Sequence, residues 1–132
     1  MTNKKLGNSF EQELCEKLAE YGFWVHCLTM NKAGQPADII AVRNKQAHLI
    51  DAKVVSSRGF ALSRVEENQD LAMDLWNSKG NGQGWFALKV NDEIYMIPHI
   101  CIKALMATQS TISIAEIHTI GKSLDKWVKK WK

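Results

Sequence analysis

Residues Gly34–Lys53 read GQPADIIAVRNKQAHLIDAK, and this stretch decides the fold. Two short apolar runs, Ile39–Val42 and Ala47–Ile50, flank a polar turn at Arg43–Gln46, so the spacing predicts a β-hairpin. Asp38 enters the first strand, Asp51 leaves the second, and Lys53 follows two residues later. Alternate side chains of a strand share a face, so Asp51 and Lys53 point the same way, and the carbonyl of Ala52 stays free. The hairpin brings Asp38 alongside that pair. Two carboxylates and a carbonyl are hard oxygen ligands suited to Mg²⁺. A neighbouring ammonium can stabilise charge growing on a phosphate or help deprotonate an attacking water.

Pro36-Ala37-Asp38 followed by Asp51-Ala52-Lys53 resembles the PD-(D/E)xK nuclease signature. A surface hairpin with ordinary charged ends has the same spelling, so the remainder of the chain has to discriminate. Its 132 residues suit one domain, 1–132, large enough to bury a core without disulfides. With 45% hydrophobic and 23% charged residues the composition is that of an ordinary globular protein. No membrane-length apolar run and no signal core at the N-terminus are present, so a cytoplasmic location is expected. Cys15, Cys27 and Cys101 share no metal-type spacing and are expected to be reduced and mostly buried. The net charge of +3 is a mild indication of a polyanionic partner. More telling are Lys4 and Lys5 near one end and Lys122, Lys126, Lys129, Lys130 and Lys132 near the other, although solvated terminal lysines are common.

Phe10, Leu14, Leu18 and Tyr21 recur on one helical face, which predicts a helix capped by Asn8 or Ser9 and stopped by Gly22. Among its glutamates, Glu11 lies nearest the apolar stripe, roughly 65° from its centre at about 100° per residue. It is the carboxylate placed to face inward. Phe23–Met30 reads as a strand and Asn31–Gln35 as a loop. After a polar loop at Val54–Gly59, a second helix is expected over Ser63–Ser78. Ser63 and Glu66 spell its capping box, and Val65, Leu71, Leu75 and Trp76 supply its apolar positions. Gly80, Gly82 and Gly84 break the chain before the antiparallel strands Trp85–Val90 and Ile94–Ile97, joined at Asn91–Asp92. Helical turns are expected at Ile100–Met106, with another element from Ser113. The four histidines are isolated, outside any ligand spacing such as H-x-x-x-H, and His48 is expected to be half-buried or at the surface. Met73, Met96 and Met106 read as core filler.

The αβββαβ order with acids on the second and third strands resembles the PD-(D/E)xK nuclease core. The chain is similar, over Leu6 to about Leu105, to the RecU family of Holliday-junction resolvases and, in compactness, to the archaeal resolvases. Gly7 and Phe10-Glu11-Gln12-Glu13-Leu14 resemble the opening helix of both families, which implies that Glu11 belongs to the active site. The thirteen-residue step from Asp38 to Asp51 matches the family spacing. Ser57–Gln69 resembles the RecU segment that leads into a helix bearing a functional glutamine, which implies that role for Gln69. Trp85–Val90 and Tyr95–Pro98 resemble the last core strands. Two departures stand out. Thr29–Pro36 is far too short for the RecU stalk, and the DxK acid is Asp51, not the usual glutamate.

The resemblance implies a restriction-endonuclease-like α/β fold, a mixed central sheet flanked by helices, compact and without a stalk. It implies a metal-dependent endodeoxyribonuclease that cuts four-way DNA junctions as a homodimer. Asp38, Asp51 and the Ala52 carbonyl, with Glu11, would hold Mg²⁺, for which Mn²⁺ can substitute. Lys53 and Gln69 would handle the water and the scissile phosphate. Lys32, Arg58, Arg64 and the terminal lysines are the candidates for DNA-backbone contacts. Some of Trp76, Trp85, Trp127 and Trp131 are candidates for the dimer interface, with core packing favoured for Trp85. Two other functions share these features: a nicking or restriction-type endonuclease of ordinary duplex, and a non-catalytic DNA-binding protein.

Overall fold

The two-residue turn Asn44–Lys45 has positive φ at both positions, 52° and 68°, the geometry that lets a tight hairpin follow the strands' right-handed twist. It joins β2 (Ile39–Arg43) to β3 (Gln46–Val55) in the register Ile39↔Ile50 to Arg43↔Gln46. In this computed structural model residues 3–28 and 37–131 are described. The hairpin lies inside a six-stranded sheet of order β1-β2-β3-β5-β6-β8, in which β1 is Trp24–Cys27, β5 Gly84–Val90, β6 Glu93–Pro98 and β8 Lys122–Ser123. All pairings are antiparallel except β3 with β5. A parallel pair needs a long crossover, and residues 56–83 supply it. That crossover carries β4 (Phe60–Ala61), a 3-10 turn at Leu62–Arg64, α2 (Glu67–Trp76) and a π-turn at Asn77–Asn81. A small second sheet pairs β4 with β7 (Thr111–Ile112).

Two apolar layers sandwich the main sheet. On one face α1 (Asn3–Glu20) and α5 (Leu124–Lys130) bury Phe10, Leu14, Leu18, Trp127 and Val128 against Ile39, Ala41, Ile50 and Ala52. On the other, Met73 of α2, Ile102 of α3 (His99–Met106) and Ile117 of α4 (Ile114–Ile120) cover Leu49, Val55, Phe86 and Leu88. The strict alternation of β3 between the layers fixes its register, since a one-residue slip would invert every side chain. Among the described residues no helix is long and apolar enough to cross a membrane.

Several elements differ from the sequence reading. α1 begins at Asn3, so Asn8 and Ser9 lie within it and not at its start; Tyr21 falls beyond its end and is exposed. Gly22 does stop it, with φ of 95°. β3 continues to Val55 because β5 pairs with it as far as Val90, leaving a tight bridge, Ser56↔Gly59, where a loose loop was expected. The second helix starts three residues late: Glu66 is its N-cap and Gln69, not Glu66, closes the cap. Leu71 and Leu75 are exposed, because the helix turns Gln69 and Met73 inward. His48 is buried among Phe23, Trp127 and Trp131. That apolar ring holds its pKa down at about 4, since burial penalises the imidazolium. Trp127 is fully buried, which removes it from any interface, and Trp85 lies in the core as expected. The cysteines are half-buried; Cys15 of α1 meets Cys27 of β1 with sulfurs 2.7 Å apart. The loop Thr29–Pro36, including Lys32, lies outside the described residues.

Candidate active site

The register that pairs Ile39 with Ile50 places Asp38 opposite Asp51, and the strand end is fastened there on both sides. Asp38 N–H donates to Ile50 O at 3.1 Å, and Leu28 N–H donates to Asp38 O at 2.6 Å. The Asp38 side chain turns back across the hairpin, where its Oδ2 accepts from the Ala52 N–H at 2.8 Å. A residue's N–H and C=O point to the same strand edge, so the Ala52 carbonyl faces Asp38 too.

Asp51 is fully buried in the middle of β3. Its Oδ1 accepts from Gln69 Nε2 at 3.1 Å. Its Oδ2 stands 3.2 Å from Lys53 Nζ in an ion pair. From the opposite layer α1 delivers Glu11, half-buried, whose carboxyl hydrogen-bonds to that of Asp38. Asp38 is in turn hydrogen-bonded to Asp51, so three carboxyl groups from three elements are linked in a row.

Crowding of this kind is costly for the ionised forms. Burial, followed by the neighbouring Asp38, pushes Glu11 up to about 7, with Lys53 acting the other way. Burial and Asp38 also raise Asp51 well above the usual carboxylate range, again against Lys53. Like charges and desolvation both favour retaining protons, and a divalent cation with oxygen affinity relieves both at once. The donor set is therefore chemically matched to a hard metal ion: three carboxyls and a backbone carbonyl.

Gln69 reaches the site because α2 enters at Glu66, whose N–H donates to Gln69 Oε1 at 3.2 Å. One amide thus closes the helix cap with its oxygen and holds Asp51 with its nitrogen. Arg64 approaches the same edge. Its Nη1 donates to Val54 O at 2.6 Å, its guanidinium lies 5.3 Å from the Phe60 ring centroid, and it feels the charge of Asp51. Arg58 is exposed on the neighbouring turn. Of the terminal lysines, Lys122, Lys126, Lys129 and Lys130 are exposed, and Lys129 pairs with Asp125. Glu11, Asp38, Asp51, Ala52, Lys53 and Gln69 are thus brought together, whereas the basic candidates are dispersed around them.

A second constellation was not anticipated. Asp70 and Asp74, one turn apart on α2, meet His99 at the start of α3, with His99 Nε2 2.6 Å from Asp70 Oδ1 and Nδ1 3.8 Å from Asp74 Oδ1. These three side chains are arranged closely enough to hold a metal ion. Lys103 already occupies their open side, hydrogen-bonded to Asp74 and 3.9 Å from Asp70. The i,i+4 aspartates were visible in the sequence, but their histidine lies far along the chain, and only the packing of α2 on α3 joins them.

Comparison with known proteins bears on this geometry. Curated protein sequences provide no match. Among solved structures the chain resembles Archaeoglobus fulgidus Hjc, described as a Holliday junction resolvase from an archaeal hyperthermophile. The two share 17% identity and superpose with a TM-score of 0.66 over 93% of this chain and 95% of that one, which establishes the fold. At the level of family, residues 2–130 match the archaeal Holliday junction resolvase (Hjc) model. Of the two resolvase groups that the motifs resemble, the compact one without a stalk is the match. With the matched span reaching nearly end to end, the chain belongs to the archaeal Holliday junction resolvase family, structure-specific nucleases of branched DNA.

Proposed function

We propose that this nuclease cleaves four-way DNA junctions by Mg²⁺-assisted phosphodiester hydrolysis at the Glu11–Asp38–Asp51 row, working as a single catalytic domain. The observation that carries the reading is the convergence of Glu11 from α1 with Asp38 and Asp51 of the hairpin, beside Lys53. Asp38, Asp51 and the Ala52 carbonyl are the proposed ligands, with Glu11 completing the set and Mn²⁺ able to substitute. When bound, the ion supplies charge neutralisation at the phosphate and lowers the pKa of a coordinated water. The protein's own contributions are positional. Lys53 Nζ, held by Asp51, sits where it can take a proton from the attacking water or stabilise charge on the phosphate. Gln69 fixes the Asp51 carboxylate in one rotamer. Arg64 and Arg58 lie along the same edge to meet backbone phosphates, which orient DNA without reading its sequence.

Paired cuts across a junction require two sites, so the working form is proposed to be a homodimer in the cytoplasm. The test is cleavage of a labelled four-way junction beside a linear duplex of the same sequence in Mg²⁺, by wild type and Asp51→Asn. Paired nicks in the junction alone, lost at least 100-fold in the variant, are expected; removing a charge-stabilising group costs on the order of 10²–10³ in rate. Equal cutting of both substrates would move the protein to a general duplex endonuclease.

A further inference from the structure

β1 is an edge strand whose two faces differ sharply. Val25 and Cys27 pack on the α1 layer, so Trp24 and His26 project from the opposite face of the sheet. That is the face of Asp51 and Lys53, because Ile50 and Ala52, which alternate with them on β3, belong to the α1 layer. Trp24 is 63% exposed, the largest exposure among the big hydrophobic side chains of the described residues, and His26 is exposed beside it. Their rings lie nearly parallel, 9° apart in plane, with centroids 6.1 Å apart.

The registers measure how far this pair is from the chemistry. Trp24 lies opposite Val42, His26 opposite Ile40, and the next step along the same face reaches Leu28, bonded to Asp38. At about 3.3 Å per residue, His26 is about 7 Å and Trp24 about 13 Å from the Asp38 row. Both are therefore continuous with the surface on which a scissile phosphate sits. Flat aromatic faces take nucleobases by stacking, whatever the base.

We propose that Trp24, with His26 beside it, is a stacking site for an unpaired base of the DNA strand being cut, a short way along from the scissile phosphate. The site explains how a nuclease with no base-reading helix prefers branched DNA: only a distorted duplex releases a base to it. This inference rests on the resolvase reading for its substrate but not for its chemistry.

The test uses the full chain as wild type, Trp24→Ala and Trp24→Phe, with binding measured in EDTA so that nothing is cut. For a four-way junction carrying 2-aminopurine at the branch point, Trp24→Ala is expected to weaken binding by about 5- to 100-fold and to abolish quenching of the probe by the protein. Trp24→Phe restores most of both, which a purely structural role would not require. A short oligothymidylate is expected to quench indole emission of the wild type and not of Trp24→Ala. Equal affinity and equal quenching in all three proteins overturn the proposal, as does an effect confined to oligomeric state, which would make Trp24 a protein contact. A wild type that stacks oligothymidylate through Trp24 yet leaves junctions uncut would refute the resolvase reading and keep the stacking site. Normal junction cutting and binding by Trp24→Ala would do the reverse.

Discussion

Gln69 does two jobs with one amide, and two substitutions separate them. Gln69→Ala removes the acceptor for the Glu66 N–H and the donor to Asp51. It should cost about 1 kcal/mol in urea unfolding, typical of a lost cap, together with at least a tenfold loss of cleavage. Gln69→Glu keeps an oxygen for the cap but sets a carboxylate against Asp51. A further carboxyl in this buried row should lower the metal-free unfolding midpoint at pH 8 more than Gln69→Ala does, with much of the difference recovered at pH 5, while its activity falls as far. The carboxyl row carries a pH signature. Glu11 ionises at about 7 in the folded, metal-free protein against an ordinary 4.5, so the folded state retains its proton more tightly than the unfolded chain. Metal-free stability must therefore fall as pH rises through the window from about 4.5 to 7. Mg²⁺, which displaces those protons, should raise the melting temperature more at pH 8 than at pH 5. A melting shift that is the same at both values would count against Glu11 as a member of the metal site.

Among the elements, α2 shows why a functional helix is hard to read. A helix normally announces its buried face by apolar spacing, but here the inward positions are Gln69 and Met73, while Leu71 and Leu75 face solvent. The polar residue that the site needs breaks the period that would have located the helix. Ser63 and Glu66 have capping-box spelling, yet Leu62–Arg64 forms a 3-10 turn, and the cap falls at Glu66 and Gln69. Gly84 was read as a chain breaker and proves to be a packing position. A Cβ there would lie 2.6 Å from Met73 Cγ and 2.7 Å from its Sδ. Met73 is fully buried, so it has little room to yield. Gly84→Ala should cost about 1–3 kcal/mol in urea unfolding. It should also lower activity, because Met73 and Gln69 share a helix. The hairpin was legible for the opposite reason: its acids stand just outside the apolar runs Ile39–Val42 and Ala47–Ile50, so they leave the pattern that marks the strands intact.

For the whole molecule, the αβββαβ order and the meeting of Asp38 with Asp51 and Lys53 could be read along the chain, while the mixed sheet and the place of Glu11 in the site came from the resemblance to a known family. Local spacing supplies the strands, and the carboxylates follow from the register. Contacts between segments far apart could not be read: the burial of His48 under α5, the extension of β3 by β5, and the pairing of His99 with Asp70. The same limit applies to assembly. Two-site cleavage predicts a dimer, and sedimentation equilibrium in the micromolar range should return twice the chain mass. A monomeric mass that persists with bound junction would mean that the two strands are cut one after the other by separate molecules.

The hydrogen bond from the Ala52 amide to Asp38 Oδ2 joins the backbone of the central strand directly to a carboxylate of the site. That amide proton is a spectroscopic probe supplied by the fold itself. In an ¹⁵N-labelled sample its resonance senses the charge state of Asp38, and its exchange with solvent reports how often the end of the hairpin opens. A Mg²⁺ titration followed at this one peak would give the occupancy of the site with no DNA present and no reaction under way.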